Sequence, residues 1–176
     1  MTARTPDEIK EIELQAIAGD ANAQYRFASL NLHGGLDRPL KALQWYESAV
    51  QQGHKNATID LAHAYYSDQD IAPDWRRSLE LAESLSKEVP AMAMLAAELY
   101  MNGQNGGVKN DFAKAHELVS GVLEKDGNNI AAQRKLKEIE SVLDSPEQAA
   151  FSALEQSKGM LAEPAPAPSV SRGMSL

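Results

Sequence analysis

One pattern recurs along this chain, and it limits the fold more than any other feature. The run "LNLHGGLDRPLKALQWYESAVQQG" spans Leu30 to Gly53, and "LYMNGQNGGVKNDFAKAHELVSGVLEKDG" spans Leu99 to Gly127. Both pass from an apolar residue through a Gly pair and an acidic residue to Lys-Ala, an apolar stretch and a closing Gly. Three segments just ahead of such stretches also overlay: "NAQYRFASLNLHGG" from Asn22, "NATIDLAHAYYSDQ" from Asn56 and "PAMAMLAAELYMNG" from Pro90, each starting 34 residues after the last. Ala23, Ala57 and Ala91 align, as do Phe27, Leu61 and Leu95, then Ala28, Ala62 and Ala96. That spacing is helical. These segments are termed the A helices.

A second helix is expected after each. Leu43, Tyr46, Ala49 and Val50 share one face of the first B helix. Trp75, Leu79, Ala82 and Leu85 do so in the second, and Phe112, Ala115, Val119 and Val122 in the third. Pro39 suits a first helical position, where its missing N–H costs nothing. Asp74 and Asn110 suit N-caps. A two-helix unit cannot bury its apolar faces alone, but stacked copies can, so a period of this size predicts a solenoid. Small residues such as Ala28 and Ala62 let backbones approach, and Phe27, Leu61 and Leu95 fill the seam.

The segmentation that follows has an N-terminal capping helix over 1–19, with Thr5 and Glu8 as a capping box, Pro6 at its first position and Gly19 as its stop. Repeats follow over 20–53, 54–87 and 88–125, with a partial one over 126–143. Ser145 and Gln148 predict a second capping helix over 144–159. Residues 160–176, rich in Pro and Ala and without periodicity, are expected to be a disordered tail.

The pattern "A…LA..Y..", a Gly-bearing loop, "D..KA" and an apolar helix closed by Gly resembles the Sel-one-like repeat (SLR), a relative of the tetratricopeptide repeat. Its best copies are "ATIDLAHAYYSD" and the Leu99–Gly127 run, and the likeness covers roughly Ala18 to Leu143. Three departures stand out. Asn31 occupies the place of Tyr65, Asp68-Gln69-Asp70 replace loop glycines, and Arg77-Ser78 stand where Lys114-Ala115 stand. The resemblance implies an all-α fold, a right-handed α-solenoid of about four antiparallel helix pairs with the A helices lining a concave face. It also implies a non-catalytic adaptor or scaffold for other proteins, of bacterial type, with neutralisation of a toxin or effector as the alternative.

On the A helices, the stripe left over after packing gives the candidate partner-binding residues. They are Tyr25, Ser29, Leu32 and His33, then Ile59, His63, Tyr66 and Ser67, then Ala97, Tyr100 and Met101; Asn22, Asn56 and Ala93 lie on the same stripes. Tyr and Met among polar neighbours can grip a helix or an extended peptide. The competing expectation for Tyr25 and Ile59 is that they only close contacts between repeats.

Composition narrows the chemistry. The 176 residues carry a net charge of −8 and no basic run, which disfavours nucleic acid and anionic membranes as partners. Cysteine is absent, so disulfides and thiolate-ligated metals are excluded. No apolar run approaches the roughly 18 residues that span a bilayer. The expected compartment is the cytoplasm, and the expected state a monomer or weak dimer. His33, His54, His63 and His116 include no helical i, i+4 pair, although His33 and His63 could converge across adjacent A helices. "SLSK" from Ser84 lacks the companion motifs of serine β-lactam enzymes, and "GQNGG" lacks the Lys-Ser/Thr of a phosphate loop. No catalytic residue, metal or cofactor is therefore expected.

Overall fold

The computed structural model describes residues 5–33, 36, 38–67, 70–102 and 106–145. Among them are eight α-helices and no strand: α1 (Pro6–Ile17), α2 (Ala21–Leu32), α3 (Pro39–Gln51), α4 (Lys55–Ser67), α5 (Trp75–Leu85), α6 (Pro90–Asn102), α7 (Phe112–Lys125) and α8 (Ile130–Leu143). The chain divides into two compact units, Met1–Ile139 and Glu140–Leu176. In the second, the described residues 140–145 complete the last turn of α8, where the Asp144 N–H donates to the Glu140 carbonyl and the Ser145 N–H to that of Val142. Beyond residue 145, the expected capping helix and tail lie outside the described residues.

In the first unit the helices alternate as the repeat requires. The A helices are α2, α4, α6 and α8, the B helices α3, α5 and α7. Each helix from α1 to α6 packs on its successor, and the result is an all-α solenoid of helical repeats. Local chemistry sets the helix ends. The Thr5 hydroxyl accepts from the Glu8 N–H while the Glu8 carboxylate accepts from the Thr5 N–H at 2.8 Å, a closed capping box at the start of α1. Gly19 follows that helix at φ +96°, a conformation that L side chains rarely adopt. Pro39 opens α3, and the Asp74 carboxylate caps α5 by accepting from the Arg77 N–H at 3.0 Å.

Small residues hold the helices together. Ala42, Ser78 and Ala115 occupy equivalent places on the three B helices and are fully buried, as are Ala28, Ala62 and Ala97 on the A helices. Backbones therefore meet closely, and larger side chains such as Tyr46, Leu61 and Met92 fill what remains. Ser78, one of the departures from the family pattern, keeps the small size. Its hydroxyl donates to the Ala62 carbonyl at 2.8 Å, so the extra polar group is satisfied in the core. Arg77 beside it grips Glu47 of the preceding B helix through two hydrogen bonds of 3.1 and 2.7 Å. A bidentate pair of this kind ties two repeats with fixed geometry.

The loops between A and B helices differ in length yet close identically. The Arg38 N–H donates to the Asn31 carbonyl at 2.8 Å, the Asp74 N–H to Tyr65 at 2.9 Å and the Asp111 N–H to Tyr100 at 3.0 Å. In the third loop Gly106 lies flat on the Trp75 indole, where an added Cβ would come within 2.5 Å of the ring. The Arg76 guanidinium donates to the Gly107 carbonyl at 2.9 Å beside it. Gly106 is thus demanded by a neighbouring repeat's side chain.

Three expectations are corrected. First, the third A helix sits one residue later than the constant spacing implies: α2 and α4 start at residues 21 and 55, but α6 starts at residue 90. Met92, Ala96 and Ala97 take the buried places of Ala57, Leu61 and Ala62, while Ala91 is exposed. Second, Asp111 caps α7, accepting from the Lys114 N–H at 2.8 Å, and Asn110 does not. The Asn110 side-chain oxygen is instead buried, with no hydrogen-bond partner among the described residues. Third, the buried face of α5 runs through Ser78 and Leu81, leaving Trp75 and Leu79 half-buried at its edge. Similarly, Leu43, Val50 and Phe112 only flank their clusters, and Ala42 joins Tyr46 and Ala49 as the buried residues of α3.

Candidate partner-binding face

The A helices leave a stripe of side chains at the surface, spaced three and four residues apart. On α2 it comprises half-buried Tyr25, Ser29 and Leu32 with exposed His33. On α4 it comprises half-buried Ile59, Asp60 and Tyr66 with exposed His63 and Ser67. These helices begin next to one another, and His54 joins them. Its Nδ1 accepts from the Ala57 N–H at 3.1 Å and so caps α4. Its Nε2 therefore carries the proton and donates to the Asn22 side-chain oxygen at 3.2 Å. The ring also stacks on Tyr25 at 4.7 Å between centroids.

Tyr25 makes the inter-repeat contacts of the competing expectation formed for it. Its ring packs on Tyr46 and His54, closing the seam between repeats, while its hydroxyl donates to Asp60. Burial pushes the Tyr25 pKa above the usual tyrosine value, and the Asp60 charge and hydrogen bond add to the rise. Between the C-terminal halves of α2 and α4 lies an open cleft of about 320 Å³, lined by His33, Asp60, His63, Ala64 and Ser67. The expected convergence of His33 and His63 is therefore present. Neither imidazole makes a hydrogen bond, ion pair or ring contact among the described residues. Among the described residues, no group of three or more His, Asp or Glu side chains could hold a metal ion.

Further along the face the polar groups satisfy one another. Lys135 of α8 donates to Glu98 of α6 at 2.6 Å and pairs with Glu138 at 2.9 Å. Burial works against the Lys135 ammonium, but the bonds to both glutamates hold its pKa above the usual lysine range. The Tyr66 pKa is raised by burial and by the Glu98 charge, with Lys135 offsetting part of the rise. Tyr66 also packs on Trp75, whose indole N–H donates to the Tyr66 carbonyl at 3.2 Å.

The third repeat corrects the sequence-derived face. Ala97 is fully buried, Ala93 and Met101 nearly so, and none can meet a partner in this arrangement. Tyr100 is equivalent to Tyr65, not to Tyr66. Its hydroxyl donates to Glu83 of α5 at 2.7 Å, and burial and that bond raise its pKa. Tyr65 lies in the same relation to Glu47, at 3.5 Å. Both tyrosines are ties between repeats. The exposed stripe of α6 runs instead through Ala91, Met94, Glu98 and Asn102. Met94 and Glu98 were missed because the helix phase was read one residue early; the start of α6 at Pro90 was the signal that could have found them.

The family model for the Sel1 repeat matches residues 21–54 and 89–119. Two stretches of this chain therefore match the Sel1 repeat. The intervening stretch, which contains all of α4 and α5, falls outside both matches, and it is the one in which Arg77-Ser78 replace the Lys-Ala of the other repeats. A search of curated proteins finds no significant match. Among solved structures, the chain is similar to a protective antigen present in uropathogenic Escherichia coli strains that displays an SLR fold. The TM-score is 0.62 at 19% identity, covering 94% of this chain and 38% of that one. It is also similar to a Sel1 repeat protein from Oxalobacter formigenes, with a TM-score of 0.56 at 20% identity, covering 74% of this chain and 98% of that one. This chain thus spans well under half the length of the E. coli antigen. Sel1 repeats generally mediate protein–protein interaction, and no helix among the described residues is long and apolar enough to cross a membrane.

Proposed function

We propose that this chain is a non-catalytic interaction module that holds a segment of a partner protein against the surface stripes of α2 and α4. The observation that carries this reading is the open cleft lined by His33, Asp60 and His63, where the two imidazoles have no partner among the described residues. Half-buried aromatic and aliphatic side chains next to unsatisfied polar groups make a surface that gains by being covered. A net charge of −8 favours a second reading, in which the partner is a basic toxin or effector that this chain neutralises.

The test is affinity capture of partners by the full chain and by a His33→Lys, His63→Lys double variant, with unfolding curves recorded for both. Both side chains are exposed, so the fold is expected to survive. Partners lost by the variant support the face; partners that persist place the contact elsewhere. A captured enzyme whose turnover is blocked, with an association rate that falls steeply with salt, selects the neutralising reading.

A further inference from the structure

We propose that the cleft between α2 and α4 is a seat for one basic side chain, arginine or lysine, of the partner segment. The inference rests on the partner-binding reading above and adds the chemistry of what is bound. Among the described residues lining the cleft, the one carboxylate is that of Asp60. Its carboxylate takes a hydrogen bond from Tyr25 and has no ion-pair partner among the described residues. A carboxylate has about four acceptor sites, so one donor leaves most of them open.

The neighbours extend the same preference. A neutral imidazole at His33 and another at His63 each offer one acceptor nitrogen, and the Ser67 hydroxyl accepts as well as donates. A guanidinium, with five donors and no acceptor, or an ammonium, with three, meets every one of these groups with the right polarity. A carboxylate or phosphate would face the Asp60 charge at close range. An apolar side chain would cover that charge and leave it unpaired. The volume of about 320 Å³ is at the small end for ligand pockets, which suits a side chain better than a whole cofactor. The surplus of acidic residues on the chain draws a cationic segment toward it.

Selection of random 12-residue peptides displayed on phage against the full chain tests the seat directly. Binders are then measured against wild type, Asp60→Asn, Glu117→Gln and His33→Lys, His63→Lys. Asn at residue 60 still accepts the Tyr25 hydrogen bond, so the charge is removed without the contact. Glu117 is an exposed acid on α7, away from the cleft. The expected result is a set of peptides sharing an Arg or Lys, weakened about tenfold or more by Asp60→Asn and unchanged by Glu117→Gln. Replacing the shared basic residue by Gln in the peptide should weaken binding by a similar factor. Peptides that need His33 and His63 but carry no common basic residue, or ignore Asp60→Asn, overturn the cation seat and leave the partner-binding face standing. A selection that yields no peptide sensitive to any cleft variant overturns both.

Discussion

The two ends of the A-helix face treat their polar groups in opposite ways. Between α2 and α4, among the described residues, His33 and His63 flank a cleft without partners, and Asp60 has only the Tyr25 hydroxyl. Between α6 and α8, Glu98, Lys135 and Glu138 are bonded to one another. His63 and Glu98 hold equivalent places in their repeats, so one architecture carries both solutions. A satisfied network stabilises and gains little from being covered. An unsatisfied one does little for the fold and gains from a partner. The repeat thus allows structural and binding roles to be divided along one face without any change of backbone.

The comparison can be broken most forcefully through the core that both ends share. Leu61→Ala empties a fully buried position on α4 and is expected to cost about 2–5 kcal/mol in chemical denaturation, with binding lost as the fold is lost. Gly106→Ala pushes a Cβ into the Trp75 ring and is expected to cost about 1–3 kcal/mol, read by thermal unfolding. Peptide binding at the α2–α4 cleft should survive that change at temperatures where the protein remains folded.

Glu98→Gln sharpens the comparison, because it strips the half-buried Lys135 of its interhelical partner. The expected loss is about 1 kcal/mol with affinity unchanged. Its pH signature is distinct. The folded pKa values of Lys135, Tyr25, Tyr66 and Tyr100 are all raised. The stability they contribute is therefore fully present below the unfolded values, about 10 for tyrosine and 10.4 for lysine, and is lost as pH rises through the higher folded ones. Denaturation midpoints should fall above about pH 10, and less steeply in Glu98→Gln; an identical slope would show that this network does not carry the linkage. The smallest stability effect belongs to His63→Ala, within about 0.5 kcal/mol, although binding should fall markedly.

Much of this was legible in the sequence where a local rule decides. Thr5 with Glu8, Pro39 and Asp74 each act at the position their chemistry predicts, since a cap depends on residues three apart. The phase of α6 was not legible in that way. "PAMAMLAAELYMN" is apolar almost all round, so no periodicity marks its buried side, and Ala97, Met101 and Tyr100 were placed on the wrong one. Two cap-competent residues stand side by side at Asn110 and Asp111, and the loop clasp to Tyr100, a long-range bond, selects the second. The ties from Tyr100 to Glu83 and from Lys135 to Glu98 join separate helices and leave no mark in local spacing. The meeting of His33 and His63 could be anticipated from the repeat, but Asp60 between them needed the structure.

The most direct test of the partner-binding face is site-specific photocrosslinking of the full chain in its own cells. A photoreactive residue is placed at His63 on α4 and, in a separate protein, at Gln44 on the exposed side of α3. The account predicts a discrete crosslinked partner from position 63 and none from position 44. The same partner captured from position 44 alone would contradict it and move the binding surface to the B helices.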